Sequence, residues 1–201
     1  MSNDSTDTFK DVSIIVGVSG SIAAYKAADL VSKLKQAGAD VHVVMTRSAK
    51  ELVGPMTFHS LSMNPVLTDL FPEGGSDKPY HIDLVDRADL MLIAPATANV
   101  IGKLSAGIGD EILSTTALAA YDMPIIFAPA MNVRMYQNPL VQRNIRILED
   151  AGFIQIEPEE GYLACGYTGK GRMAEVEIIL AVVEETISGS RGVERRYPKL
   201  K

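Results

Sequence analysis

One cysteine, Cys165, stands among 201 residues. That excludes a framework of intramolecular disulfides and suits a reducing compartment. No apolar run approaches the ~20 residues of a membrane span, and residues 1–10 are polar, without the apolar core of a signal peptide. Lysines and arginines form no run, and the net charge is −6, which argues against nucleic acid or an anionic membrane as partner. These absences predict a cytoplasmic protein. The dinucleotide pattern G-x-G-x-x-G is missing as well, because Gly17 and Gly20 do not match its spacing. The second apolar strand ends in Thr46-Arg47, where a ribose hydroxyl would call for Asp or Glu. NAD is disfavoured, a mononucleotide is more natural, and no metal is expected.

What is present is a chain 47% hydrophobic, enough for one well-buried α/β domain. The domain is expected over residues 11–187, with flexible tails at 1–10 and 188–201. Apolar runs predict strands over 12–18, 40–46, 90–94 (with Pro95 at its end), 124–128 and 153–157. Between them, helix patterns cover 22–36 (closed by Gly38), 55–62, 97–106, 110–120, a stretch from Asn138-Pro139 to near Gly152, and 175–187. Ser48 is expected to cap a short helix running through Val53. Residues 64–80 read as a surface loop, and His81-Ile82-Asp83-Leu84 leads into a turn. The alternation predicts a single Rossmann-like, mainly parallel, doubly wound sheet.

In such a sheet the ligand lies outside the carboxyl ends of the strands. Those ends carry residues 17–21, Thr46, 95–99 and 129–132, four small or polar segments converging on one edge. The first is a strand running through glycines into a helix. Its glycines let the backbone approach an anion, and the free N–H groups and dipole of the helix favour negative charge. Ser21 adds a hydroxyl. Alone, such a turn is equally an ordinary βα connection. In the third segment, Thr97 and Asn99 can hydrogen-bond a ring or phosphate beside small residues, or Thr97 can cap a helix. Asn132 can orient a carboxylate or serve as a turn residue. His81 can act near neutral pH as a base, whereas His42 and His59 read as structure or surface. Residues 161–171 hold four glycines in eleven positions, which suggests a mobile flap carrying Cys165.

Four motifs in this order, Gly20-Ser21-Ile22-Ala23-Ala24-Tyr25-Lys26, His81-Ile82-Asp83-Leu84, Pro129-Ala130-Met131-Asn132 and Ala164-Cys165-Gly166, resemble those of the flavin-dependent cysteine decarboxylases, from about Val12 to Leu180. The resemblance implies FMN as cofactor, near Gly20, Ser21, Ile22, Thr46, Phe58, Pro95, Ala96, Thr97, Ala98 and Ala130. It implies His81 as the active-site histidine, Asn132 as the carboxylate-binding amide, and Cys165, between Ala164 and Gly166 on the flap, as the proton donor. The substrate implied is 4'-phosphopantothenoylcysteine, decarboxylated to 4'-phosphopantetheine in coenzyme A biosynthesis. The route would be flavin oxidation of the thiol to a thioaldehyde, CO2 loss and re-reduction of the enethiol. A homotrimer or homododecamer with flavin between subunits is implied too, and a phosphopantothenate-cysteine ligase as a fused domain or separate protein. One departure is Met135-Tyr136, where the family often reads Met-Trp. An oxidative decarboxylase of a peptide C-terminal cysteine, a flavin prenyltransferase and a non-enzymatic flavin-binding regulatory subunit are the competing readings. Cys165 argues against the first and third, and Asn132 with Cys165 against the second.

Overall fold

The computed structural model describes residues 8–71, 79–162 and 168–190. In chain order the elements are β1 (Ser13–Val18), α1 (Ala24–Gln36), β2 (Asp40–Met45), α2 (Arg47–Lys50), α3 (Pro55–Ser62), α4 (Tyr80–Arg87), β3 (Leu90–Ala96) and α5 (Ala98–Ser105). Then follow α6 (Ile112–Ala119), β4 (Ile125–Pro129), α7 (Val133–Tyr136), α8 (Pro139–Asp150), β5 (Ile154–Gln155), β6 (Glu159–Tyr162), β7 (Thr168–Arg172) and α9 (Val176–Ser190).

The first five strands form one parallel sheet in the order β2-β1-β3-β4-β5. Side chains alternate along each strand, so its two faces feed two cores. Ile14, Val16, Val18, Leu90, Leu92 and Ala94 face the layer of α1, α3 and α9. Ile15, Met91 and Ile93 face the layer of α4, α5, α6 and α8. All of these strand residues are fully buried, as befits a parallel sheet covered on both sides. The chain leaves β1 toward β2 on one side and returns to β3 on the other. The reversal falls between β1 and β3, where an open α/β sheet leaves a crevice at its carboxyl edge.

Several expectations are refined by tertiary contacts. Helix α1 begins at Ala24, because residues 21–23 are used by a tight turn in which the Ala24 N–H donates to the Ser21 carbonyl at 2.8 Å. Gly38 closes it as expected, with φ of +95°. Helix α2 is capped by Thr46, whose Oγ1 accepts from the Ala49 N–H at 3.2 Å, and Ser48 lies inside it. His81 sits in the first turn of α4, not ahead of a turn. The expected glycine-rich loop over 159–172 is in part the antiparallel hairpin of β6 and β7. At the ends, Phe9 is buried and its N–H donates to the Ala37 carbonyl at 2.8 Å, so the packed chain starts before residue 11. Helix α9 runs on to Ser190, past the expected limit at 187. No helix among the described residues is long and apolar enough to cross a membrane.

Candidate active site

At the β1–β3 crevice lies a cleft of about 780 Å³, within the usual size range of small-molecule sites. Its floor is built by local sequence. Strand β1 ends in Ser19-Gly20-Ser21, and the chain turns into α1 through Ile22 and Ala23. The Ser21 N–H donates to the Ser19 carbonyl at 2.8 Å, and Ser21 Oγ accepts from the Ala23 N–H at 3.3 Å. Among the described residues, the N–H groups of Gly20 and Ile22 have no protein acceptor. They open at the positive end of a helix, the combination that attracts an anion. Gly20 is required by space. A Cβ there would stand 2.4 Å from the Ser48 Cβ and 3.2 Å from the Ser48 carbonyl carbon.

Around this floor the carboxyl edge of the sheet is tied by hydrogen bonds from strand to strand. The Thr46 N–H donates to the Val18 carbonyl at 3.0 Å. The Ser19 hydroxyl donates to the Pro95 carbonyl at 2.6 Å and accepts from the Thr97 N–H at 3.0 Å. The Ala130 N–H donates to the Ala96 carbonyl at 3.0 Å, and the Met131 N–H to the Gly171 carbonyl at 2.9 Å. The last bond brings the hairpin base against β4 so closely that a Cβ on Gly171 would lie 2.4 Å from the Met131 carbonyl oxygen. Gly171, Arg172 and Met173 thereby become a wall of the cleft.

Of the residues singled out in the sequence, Gly20, Ser21, Ile22, Thr46, Thr97, Ala98, Asn99, Ala130 and Asn132 line this one cleft. Thr97 also caps α5, and Asn132 caps α7 with its Oδ1 accepting from the Arg134 N–H at 2.8 Å. Lining the cleft and capping a helix are thus compatible for both residues. Pro95 and Ala96 are buried behind the lining, and Phe58 is fully buried in the core under α3. His81 stands outside the lining, half-buried on α4, and its Nδ1 is buried with no hydrogen-bond partner among the described residues. Ala164, Cys165 and Gly166 lie outside the described residues.

The lining also includes Ser19 and Met131, which lie in segments the sequence placed at this edge without a role of their own, and Ser48, Glu111, Met135 and Arg172, which were not placed there. Ser19 and Ser48 had a signal, since each is a polar residue within two positions of a residue already chosen. The cations of the lining are Lys26 and Arg172, and both engage Glu175, Lys26 at 2.8 Å. The hydrogen bond from Lys26, followed by the charges of Lys26 and Arg172, holds the Glu175 carboxyl below its ordinary value. Glu111 is the acid of the lining and pairs with Lys103 at 3.3 Å. Beside the hairpin, burial raises the Tyr136 phenol, whose oxygen accepts from Gln155 at 3.1 Å.

The Flavoprotein family profile matches residues 2–188. The bifunctional coenzyme A biosynthesis protein CoaBC of Bacillus subtilis is 55% identical over 172 residues, covering 86% of this chain and 42% of that protein. The chain thus spans less than half the length of that relative. A probable phosphopantothenoylcysteine decarboxylase of Streptococcus mutans is 44% identical over 87% of this chain and 98% of its own. Among solved structures, the FMN-dependent cysteine decarboxylase SpaF superposes with a TM-score of 0.79 at 29% identity, over 90% of this chain and 98% of that one.

Proposed function

The chain belongs to the Flavoprotein family, and from that premise we propose that it binds FMN and decarboxylates 4'-phosphopantothenoylcysteine to 4'-phosphopantetheine, a step of coenzyme A biosynthesis. The observation that carries the reading is the meeting, in one cleft, of an anion-ready turn at residues 20–22 with the amide of Asn132. The residues fit a flavin mononucleotide. The N–H groups of Gly20 and Ile22 and the hydroxyl of Ser21 suit its phosphate, with Thr46 beside them. The small side chains of Ala98 and Ala130, with Thr97, leave a flat slot for its ring. Phe58, Pro95 and Ala96 support that lining from behind.

When bound, FMN supplies reversible two-electron chemistry, which lets carbon dioxide leave an otherwise unactivated carbon in a reaction with no net redox change. The protein's part is placement and proton handling. Asn132 has its Oδ1 committed to the Arg134 N–H, so its Nδ2 is the end that donates to the substrate carboxylate. His81 serves as the base. Cys165, flanked by Ala164 and Gly166, donates the proton to carbon.

His81 is not part of the cleft of its own chain, and Ile22 and Tyr25 on the cleft rim are 65% and 63% exposed. A neighbouring copy supplies the histidine and covers these side chains, in a homotrimer or a homododecamer built from trimers. Light scattering that finds an active, flavin-loaded monomer would refute this assembly. The substrate comes from a phosphopantothenate-cysteine ligase, as a further domain or a separate protein, in the cytoplasm.

The deciding experiment is to incubate the protein with 4'-phosphopantothenoylcysteine and follow CO2 and 4'-phosphopantetheine by mass spectrometry. The expected result is both products in equal amounts. Turnover of a peptide with a C-terminal cysteine instead, or bound FMN with no turnover of either, would overturn the reading.

A further inference from the structure

Among the described residues, the hydroxyl of Ser19 is the one side-chain link between the turn at the end of β1 and the segment that ends β3. It is fully buried. Its hydrogen goes to the Pro95 carbonyl at 2.6 Å, its lone pair takes the Thr97 N–H at 3.0 Å, and the Ser19 N–H also points to the Pro95 carbonyl at 3.3 Å. A hydroxyl has a single hydrogen, and here it is spent, so Ser19 is not a donor to an anion although it lines the cleft. The two sides of this link are unequally supported. The β3 end is held independently, by the Ala130 N–H on the Ala96 carbonyl at 3.0 Å and by α5 beyond Thr97. The turn at 19–23 belongs to no strand or helix, and its close approach to Ser48 is a contact without a bond.

We propose that Ser19 is a positioning residue for the cofactor's phosphate: its hydroxyl fixes the Gly20 and Ile22 N–H groups in the orientation that binds a phosphate monoester. The proposal rests on the FMN reading. Removing the hydroxyl leaves the β3 end in place and the turn tied to it only by the longer Ser19 N–H bond to the Pro95 carbonyl at 3.3 Å. Hydrogen bonds weaken steeply once their angle is lost, whereas contact between a flat ring and small side chains tolerates small shifts. The phosphate-dependent share of binding is therefore the part that Ser19 governs.

The test compares FMN with riboflavin, which has the same ring and no phosphate, on the protein stripped of flavin. Flavin fluorescence titrations of the parent, Ser19→Ala and Ser19→Cys give the ratio of the two affinities. Ser19→Ala should weaken FMN by roughly ten- to hundredfold, the scale of losing one buried hydrogen-bonded pair. Riboflavin should weaken by no more than about threefold. Ser19→Cys, which keeps a weaker donor in the same place, should fall between, and it supplies the comparison if the alanine variant does not fold. Equal weakening of both flavins would make Ser19 a merely structural residue and overturn the proposal, as would an unchanged FMN affinity. A parent protein that binds neither flavin would instead overturn the FMN reading on which the proposal stands.

Discussion

Replacing Gly20 by alanine tests whether the phosphate turn is set by space. Ordinary carbon–carbon contacts lie at about 3.5–4.0 Å, and the new Cβ would be 2.4 Å from the Ser48 Cβ. No side-chain rotation relieves this, since a Cβ does not move with its own χ angle and the Ser48 carbonyl carbon follows at 3.2 Å. Either α2 retreats or the turn does. Helix α2 is anchored by the Thr46 cap and by the fully buried Ala49, so the cost of overpacking falls in the range of about 1–3 kcal/mol. If the turn takes up the displacement, that energy appears as a loss of FMN affinity of roughly five- to 150-fold. If α2 takes it up, the flavin-free protein melts earlier. A fluorescence titration and a thermal melt read together capture both outcomes. Adding Ser48→Gly to the variant removes the nearest clash and should recover part of the loss. Gly54→Ala is the control, because nothing lies within 4 Å of a Cβ there. A Gly20→Ala protein with the parent's affinity and melting temperature would refute the reasoning.

Asn132→Asp keeps the cap on α7, since Asp and Asn cap helices about equally well. It should retain FMN and lose turnover, because a second carboxylate repels that of the substrate; loss of flavin as well, seen in the visible spectrum, would mean a structural role. Glu175 is held below its ordinary value of 4.5, first by the hydrogen bond from Lys26, so its contribution to stability is full above that value and is lost as pH falls through the lower, folded one. Melting temperatures of the parent and Glu175→Gln should therefore differ near neutral pH and converge in acid, and parallel curves would count against the pairing. Cys165→Ser offers a much weaker acid. It should release CO2 but give a product two hydrogens lighter than the saturated aminothiol, and mass spectrometry showing the saturated product at the parent's rate would remove Cys165 from the role of acid.

The parts legible in the sequence were those encoded locally. Residues 55–62 form the expected helix, with Pro55 in its first turn, because proline, cap and apolar spacing all lie within one stretch. The turn at 17–21 could be read for the same reason. What escaped was set by partners distant in the chain. Residues 159–162 and 168–172 pair as antiparallel strands although glycine and glutamate favour strands poorly, and the base of that pair is held by the Met131–Gly171 bond. Arg172 is brought to the cleft by that bond, from a stretch distant in the chain. Phe58 looked like a ring for the site, yet its side chain is consumed by the core. Thr46 prevailed over Ser48 as a cap because it is the residue at which β2 stops, its N–H still bonded to Val18.

The chain of hydrogen bonds along the carboxyl edge bears on how such a site can change through evolution. From Thr46 to Gly171, a peptide-to-peptide link spans each crossing, and at one of them a side chain adds to it. A link between peptides carries no requirement on the side chain it belongs to, save at Gly171, where a Cβ would lie 2.4 Å from the Met131 carbonyl oxygen. Residues that face the cleft, such as Met131, Met135 and Arg172, can be exchanged to admit a different acyl or peptide group while the frame stays intact. The crossing that also uses a side chain is the one from β1 to β3, where the Ser19 hydroxyl reinforces the 3.3 Å bond from the Ser19 N–H to the Pro95 carbonyl. Variation among descendants of this fold should therefore be broad at the exchangeable residues of the cleft and narrow at Ser19 and Gly171.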